Sequence, residues 1–250
     1  MDLLIFVLVG AVVAGFVQGL SGFAFALVAM SVWAWVLEPA VAAVLTVFGA
    51  AAGQVIAAPA IRRGFDRHIV LPFVAGGILG IPLGVLVLPL LDPQIFKFLL
   101  GLFLMLWCPA MLASARLPTV RAGGRAADGL IGVAGGVMGG IGGFSGPVPT
   151  LWITLRGYPK EVQRAAIQSF NLAVLTLTFA AYVATGLVTV EILPLFGVVA
   201  LAMVIPVWLG TRLYIGIAEA TFRRIVLGLL AVSGAGMVAA SAGPVFSRLG

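Results

Sequence analysis

Apolar residues occur along this chain in runs long enough to cross a lipid bilayer. Six of these runs have about 19–24 residues, against the roughly 20 that a transmembrane helix needs. They occupy residues 40–61, 69–91, 95–113, 162–185, 190–211 and 221–241. The pattern therefore predicts six full transmembrane helices.

The remaining apolar runs are shorter and come in pairs. Residues 3–17 pair with 23–37, and residues 128–139 pair with 147–155. At 1.5 Å per residue, fifteen helical residues reach about 22 Å and nine reach about 14 Å, which is less than the thickness of the bilayer core. We expect half-spanning or re-entrant helices joined by glycine turns, with shallow full crossings as the alternative.

A glycine-rich stretch interrupts each pair. The second one, from Gly135 to Pro149, contains seven glycines and two prolines. Glycine has a high backbone entropy cost in a helix and proline removes a hydrogen-bond donor, so no uninterrupted helix is expected there. In hydrocarbon, broken backbone persists only where protein or a water-filled cavity covers it, which makes the stretch a candidate binding site. The alternative is a close helix–helix contact between small residues.

The two halves of the chain are similar when one is shifted along the other. The matched positions are Gly15 with Gly136, Gly19 with Gly140, Gly22 with Gly143, Phe23 with Phe144, Phe48 with Phe170, Gly64 with Gly186, Pro72 with Pro194, Pro82 with Pro206, Gly84 with Gly210 and Gly101 with Gly228. Their common order favours an internal duplication over chance. We divide the single membrane domain 1–250 into a first repeat (1–113), a cytoplasmic connecting loop (114–127) and a second repeat (128–250).

Composition and charge agree with a membrane protein. The chain is 62% hydrophobic and 9% charged, with a mean hydropathy of +1.24, which excludes an ordinary soluble domain. If each pair returns to its starting side, one side of the membrane carries all of the 14 lysines and arginines except Lys97 and Arg248. That side is cytoplasmic by the positive-inside rule, which places both termini outside. Basic patches interleaved with aromatic residues are absent, so nucleic acid is not an expected partner.

The two pairs then enter the membrane from opposite faces. The predicted fold is an all-α polytopic membrane protein with two inverted-topology repeats. Each repeat has a broken or re-entrant short-helix pair and three full transmembrane helices. Inverted repeats with interrupted helices at corresponding positions are typical of secondary transporters. The alternatives are an anion channel and a carrier of another small organic anion, and a homodimer is left open.

The chain offers little for intramembrane catalysis. Its one histidine, His68, lies in a loop, Cys108 is its one cysteine, and no HExxH motif occurs. The carboxylates lie at the ends of the predicted spans or in connections. We therefore expect neither an enzyme nor a metal or cofactor site. A proton relay through buried carboxylates is not expected either.

The two interruptions offer chemistry that suits a small anion. A helix that restarts after a break presents free N–H groups and the positive end of its dipole. Ser21 and Ser145 add hydroxyl groups, although Ser145 also suits a plain helix cap. Gln168 and Asn171 share one face of a span, where substrate contact and structural hydrogen bonding are both open. Gln54 is expected in a helix–helix hydrogen bond. The expected substrate-binding residues are Gln18, Gly19, Ser21, Gly22, Phe23, Gly140, Gly142, Gly143, Phe144, Ser145, Gly146, Gln168 and Asn171. The tryptophans are interpreted mainly as interface anchors: Trp33, Trp35, Trp107, Trp152 and Trp208.

These motifs resemble a known family. GxxGGxGG from Gly136 to Gly143, Pro147-x-Pro149, Gly157-Tyr158-Pro159 and the first-repeat motif from Gly15 to Gly22 are similar to the sulfite exporter TauE/SafE transporters. The resemblance covers nearly the whole chain. It implies a multi-pass carrier of the bacterial inner membrane that exports sulfite, sulfoacetate or other sulfonates. The first break, from Gly19 to Phe25, lacks the glycine triplet and Val-Pro of many relatives, so we expect an asymmetric pocket.

Overall fold

A computed structural model describes residues 2–57, 64–114, 118–120, 122–213 and 219–249, and its regular structure in these ranges is helical. The helices are α1 (Asp2–Ser21), α2 (Phe25–Trp33), α3 (Pro39–Ala57), α4 (Arg67–Val87), α5 (Pro93–Ala113), α6 (Gly124–Gly142), α7 (Pro147–Leu155), α8 (Lys160–Ala184), α9 (Leu193–Leu213) and α10 (Glu219–Leu249). Short 3-10 turns follow α4 and precede α9. The prediction of an all-α fold is confirmed.

Seven helices of the described residues are long and apolar enough to cross a membrane. These helices are α1, α3, α4, α5, α8, α9 and α10. Six of them coincide with the six predicted runs. Because these runs are apolar throughout, their backbone N–H and C=O groups can form hydrogen bonds only with each other, as they do in a helix. The seventh, α1, is longer than predicted.

The short pairs differ from the prediction in one respect. The second members are short, since α2 and α7 have nine residues each, but α1 has 20 residues and α6 has 19. The glycine-rich stretch stays helical through Gly142, and α6 begins at Gly124. A glycine in a helix costs up to about 1 kcal/mol, whereas an unpaired backbone group in an apolar interior costs several kcal/mol. The second cost is larger, so the helix continues as far as its packing allows.

The same glycines allow helices to approach closely. A Cβ atom on Gly136 would collide with the backbone of Gly77, and one on Gly84 would lie 2.8 Å from Cα of Gly140. In the other half, a Cβ atom on Gly210 would lie 3.0 Å from Cα of Gly19. Thus α4 packs on α6, and α9 packs on α1, through paired glycine surfaces. The alternative interpretation, a contact between small residues, applies to most of the glycine-rich stretch.

Helix directions follow from the residues in contact. Gly15 lies against Met203 and Gly19 against Gly210, so α1 and α9 run parallel. Gly80 lies against Val133 and Gly84 against Gly140, so α4 and α6 also run parallel. On α3 and α8 the order is reversed. Phe48 of α3 meets Phe179 of α8. Farther along α3, Gln54 contacts Gly22, and Gly22 also lies beside Gln168, which precedes Phe179 in α8. The two helices therefore run antiparallel.

These contacts keep their pattern when the two halves are exchanged. If α1 to α5 are exchanged in order with α6 to α10, the contact of α1 with α9 becomes the contact of α6 with α4. The contacts of α3 with α8 and of α5 with α10 stay the same. Two aligned glycine pairs also share a left-handed backbone: φ is +83° at Gly22 and +78° at Gly143, and it is +90° at Gly64 and +77° at Gly186. One aligned pair fits this exchange less well. Gly101 is aligned with Gly228, but it packs against Gly234.

Candidate functional site

The first break separates α1 from α2 at residues 22–24. Gly22 closes α1 in a left-handed conformation and donates its N–H to the carbonyl of Gln18 at 2.7 Å. The hydroxyl oxygen of Ser21 accepts from the N–H groups of Phe23 at 3.4 Å and Ala24 at 3.2 Å. The first turn of α2 then has orphan N–H groups, as every helix start does. Ser21 therefore satisfies two N–H groups of the break itself, whereas α2 has no side-chain cap, and the N–H groups of its first turn point toward the break.

The second break separates α6 from α7 at residues 143–146. Gly143 is left-handed and donates to the carbonyl of Gly139 at 2.8 Å, and Phe144 donates to that of Met138 at 3.2 Å. Pro147 and Pro149 have no N–H, so the first turn of α7 presents fewer donors than that of α2. The two restarts therefore do not offer backbone amides equally.

The two breaks touch each other. A Cβ atom on Gly146 would lie 3.1 Å from Cβ of Phe23. The Phe23 ring meets the Trp107 ring edge to face at 6.1 Å, and Trp107 donates its indole N–H to the carbonyl of Pro147 at 3.0 Å. Trp107 in α5 thus contacts residues on both sides of this meeting point.

Four buried amide side chains from α1, α3 and α8 surround the breaks. Gln18, Gln54, Gln168 and Asn171 are each 1% exposed. Gln54 donates to the carbonyl of Gly22 at 2.7 Å, and Gln18 donates to that of Ala50 at 3.0 Å. Gln168 Nε2 lies 3.2 Å from where a Cβ atom on Gly22 would be. A Cβ atom on Gly146 would lie 3.0 Å from Asn171 Nδ2.

Several polar atoms of this shell have no hydrogen-bond partner among the described residues. They are Gln18 Oε1, Gln54 Oε1, both amide atoms of Gln168, Asn171 Nδ2 and the hydroxyl of Thr46. Most buried polar groups in proteins are hydrogen-bonded, and an unpartnered one costs about 1–3 kcal/mol. Their concentration around two touching breaks indicates a site for a polar ligand. The side chains that surround it are amides, hydroxyls and aromatic rings, and none of these is charged.

The structure brings together most of the predicted site residues. Those at or beside the breaks are Gln18, Ser21, Gly22, Phe23, Gly143, Ser145, Gly146, Gln168 and Asn171. Ser145 donates its hydroxyl to Asn171 Oδ1 at 2.8 Å. Gln168 and Asn171 share one buried face of α8, as their spacing predicts.

Four other predicted site residues have packing contacts instead. Gly19 lies inside α1 against α9, and Gly140 lies inside α6, where its carbonyl accepts from Tyr182 at 2.8 Å. Gly142 ends α6 against the ring of Phe144, and this ring belongs to the apolar core. The glycine pattern alone could not separate glycines that line a break from glycines that pack a helix.

The interpretation of the tryptophans is wrong for two of them, which are buried. Trp33 and Trp107 are 0% and 4% exposed, and Trp33 donates to the carbonyl of Phe6 at 3.2 Å. Trp152 donates at 2.7 Å to Asp128, a carboxylate in α6 that is 4% exposed and lies 3.5 Å from Arg156. Trp35 and Trp208 are exposed, as interface anchors would be. A buried indole needs a hydrogen-bond acceptor, which sequence hydropathy does not reveal.

Two further polar residues join the site. Gln54 donates a hydrogen bond to the carbonyl of Gly22 in the first break, and not only to a neighbouring helix as expected. The methyl carbon of Thr46 lies 3.2 Å from where a Cβ atom on Gly143 would be, in the second break. Both are polar residues of the apolar run 40–61, which is the signal that could have found them.

Comparison with known proteins gives one match. The family model described as "Sulfite exporter TauE/SafE" matches residues 7–237. No curated protein and no solved structure matches the chain significantly. The matched range contains both breaks and all four buried amides, and it extends over most of the chain. The chain belongs to the TauE/SafE sulfite exporter family, a family of membrane transporters.

Proposed function

We propose that the protein is a secondary transporter that exports small sulfur-containing anions by alternating access. Sulfite, sulfoacetate and related organosulfonates are the substrate class, and the anion binds between the two breaks. The observation that carries the proposal is the group of buried, unpartnered amides around two touching helix interruptions. The family supports the substrate class, and the geometry supports the place of binding.

Donors for an anion come from two sources in this site. The first turn of α2 supplies backbone N–H groups and the positive end of a helix dipole. The second source is the side-chain amide hydrogens of Asn171 and Gln168. The first turn of α7 adds few backbone N–H groups, because Pro147 and Pro149 have none. An oxyanion bound here would meet no carboxylate from the residues that we assign to the site. Binding thus depends more on side-chain amides, and less on backbone amides, than the sequence predicts.

The depth of the breaks supports a site inside the membrane. Thr46 lies beside Gly143 and Gln54 beside Gly22, and both belong to the apolar span Pro39–Ile56. Eight residues separate them, which is about 12 Å along a helix. Gly22 and Gly143 are therefore displaced along α3, but both lie beside its apolar span, and the breaks meet at Phe23 and Gly146.

The exchangeable contacts and opposed helix directions support two inverted repeats as the basis of alternating access. The distribution of lysine and arginine supports an inner-membrane protein with both termini in the periplasm. With the cell interior negative, moving one anion outward is favoured by about 2.3 kcal/mol per 100 mV. We propose that this potential drives export.

Flux measurements on purified protein in liposomes test the proposal. Liposomes loaded with sulfite should release it in a saturable manner, faster with the potential negative inside, and external sulfoacetate should compete. Protein-free liposomes give the background. Ohmic flux without saturation would favour the alternative of an anion channel. Competition by simple carboxylates but not by any sulfur anion would favour a carrier for another small organic anion.

A further inference from the structure

Very close helix contacts join the two repeats. Between α1 and α9, a Cβ atom on Gly15 would lie 3.0 Å from Cβ of Met203. Between α4 and α6, a Cβ atom on Gly136 would collide with the backbone of Gly77. Backbones in such contact have no side chains between them that could rearrange, and close-packed interiors resist sliding. We therefore expect α1 to move with α9, and α4 to move with α6.

Further contacts extend these pairs into two groups of helices. Group one contains α1, α2, α3 and α9, because α3 packs on the other three. Group two contains α4, α6, α7 and α8, because α8 packs on the other three. Each group combines the short pair and the following helix of one repeat with one helix of the other repeat. Exchanging the repeats converts one group into the other, while α5 and α10 pack on each other outside both groups.

Hydrogen bonds hold each break to its own group. Gln54 of α3 donates to the carbonyl of Gly22 at 2.7 Å, which joins the first break to group one. Ser145 donates to Oδ1 of Asn171 in α8 at 2.8 Å, which joins the second break to group two. Trp107 joins the start of α7 to α5, which belongs to neither group. Each break should therefore move with its own group.

The two groups meet at the left-handed glycines. A Cβ atom on Gly22, in group one, would lie 3.2 Å from Nε2 of Gln168, in group two. A Cβ atom on Gly143, in group two, would lie 3.2 Å from the methyl carbon of Thr46, in group one. The amide atoms of Gln168 and the hydroxyl of Thr46 have no hydrogen-bond partner among the described residues. Separation at either contact therefore breaks no hydrogen bond of these two side chains.

These two contacts lie toward opposite sides of the membrane. The match of Phe48 with Phe170 extends to Thr46 and Gln168, so exchanging the repeats turns one contact into the other. Thr46 lies seven residues after the start of α3 and Gln168 lies eight after the start of α8. These spacings are about 10 and 12 Å along a helix. Because α3 and α8 are antiparallel, their starts lie on opposite sides, with that of α3 on the predicted periplasmic side.

We propose that alternating access moves group one against group two, and that Thr46 and Gln168 are the positioning residues that close the two ends of the site. The inference rests on the proposed function. Separation of Gly22 from Gln168 opens the site to the cytoplasm, and separation of Gly143 from Thr46 opens it to the periplasm. Both ends are closed in the structure, where Gln168 is 1% exposed and Thr46 is 0% exposed. The moving units are thus the two groups and not the two repeats.

Two disulfide pairs test the proposal in full-length protein that carries Cys108→Ala. Thr46→Cys with Gly143→Cys joins the two groups, because the methyl carbon of Thr46 lies where a cysteine sulfur would be. Gly15→Cys with Met203→Cys joins the two repeats inside group one. Both distances are short enough for a disulfide. Sulfite flux from liposomes is measured with each pair oxidised and again after reduction.

The two pairs should respond differently to oxidation. The Thr46 and Gly143 pair should lose at least about tenfold in flux when it is oxidised and regain it on reduction, because the periplasmic end cannot open. The Gly15 and Met203 pair should keep its flux within about twofold, because those helices move together. The reduced form of each protein is its own control for any effect of the substitutions.

Thiol labelling gives a second measurement that needs no disulfide. In membrane vesicles of known orientation, an impermeant thiol reagent should label Thr46→Cys, in the Cys108→Ala protein, from the periplasmic face only. Wild-type protein is the control, because its one cysteine, Cys108, is buried and should stay unlabelled. Labelling from the cytoplasmic face, or none from the periplasmic face, overturns the assignment of Thr46.

The outcomes separate this proposal from the proposed function. If the oxidised Gly15 and Met203 pair stops flux, the repeats move against each other, and the proposal is overturned while the proposed function stands. The same follows if the oxidised Thr46 and Gly143 pair transports as fast as its reduced form. If wild-type protein moves no sulfur anion, the proposed function is overturned as well. Where a cysteine pair is inactive even when reduced, the labelling of Thr46→Cys decides.

Discussion

The two breaks have the same backbone but different surroundings. Gly22 and Gly143 occupy aligned positions and share a left-handed conformation, with φ values of +83° and +78°. Three glutamines surround the first break, whereas the second has Thr46, Ser145 and Asn171 nearby. The conformation at each break depends on the local glycine and on the packing of paired helices, whereas its chemistry depends on side chains that differ between the two halves. The comparison indicates a symmetric scaffold with an asymmetric site.

One pair of aligned positions illustrates the divergence. In the first half, the Phe25 ring packs onto Gly49, where a Cβ atom would collide with it. Extending the matches of Phe23 with Phe144 and of Phe48 with Phe170 pairs Phe25 with Gly146 and Gly49 with Asn171. In the second half a small residue therefore faces a polar one. The first half thus packs a ring against a glycine, whereas the second half packs an amide against one. In the proposed site, the second half thus supplies an amide at the position where the first half supplies apolar packing.

The largest expected effect comes from placing a charge in the site. Gln168→Glu is close to isosteric but adds a buried carboxylate beside Gly22. Repulsion between like charges should weaken anion binding at least about 100-fold, and low pH should restore part of it by protonation. Gln168→Met serves as the uncharged control and should lose only about tenfold. Calorimetry with the tightest-binding sulfonate measures both. Equal losses in the two variants would contradict the placement of the anion.

A smaller effect is expected from removing one polar group from each half of the chain. Asn171→Leu removes the donor Nδ2 and leaves the Ser145 hydroxyl without its acceptor, so binding should fall about 10–100-fold. Thr46→Val removes an unpartnered hydroxyl that the first half of the chain supplies beside the same break, and it should change binding less than about threefold. Equilibrium binding with sulfite or sulfoacetate measures both variants. Similar losses would mean that the two halves contribute alike, against the asymmetry proposed here.

A small effect on binding is expected at the left-handed glycines. Gly22→Ala and Gly143→Ala each force a Cβ atom into a left-handed conformation, which costs about 1–2 kcal/mol of stability. At Gly22 the new atom would meet Gln168 Nε2 at 3.2 Å, whereas at Gly143 it would meet methyl carbons of Thr46 and Val47. Both variants should denature at lower temperature, and only Gly22→Ala should also weaken binding, by several-fold. The control is wild-type protein at matched detergent concentration. A binding loss confined to Gly143→Ala would reverse the assignment of the two breaks.

Part of the site could be predicted from the sequence because its signals are local. A polar amide such as Gln168 or Asn171 in an apolar run is costly unless it faces the bundle interior, so its burial follows from the run itself. Gly22 and Gly143 are also local signals, because glycine readily adopts the left-handed conformation with which each of them ends a helix. The roles of Trp107 and Gln54 could not be predicted, because each depends on a carbonyl group from a distant part of the chain.

The sequence by itself determined the class of protein, the six long spans and the presence of two interruptions. Run length, charge distribution and glycine content act on neighbouring residues, and an apolar solvent leaves few alternatives for the backbone. Only the tertiary structure decided where α6 ends, which glycines pack helices together, and which atom of Gln18 or Gln54 remains unpaired. Those outcomes depend on contacts between helices that are far apart in the chain, and the energy of such contacts cannot be read from either helix alone.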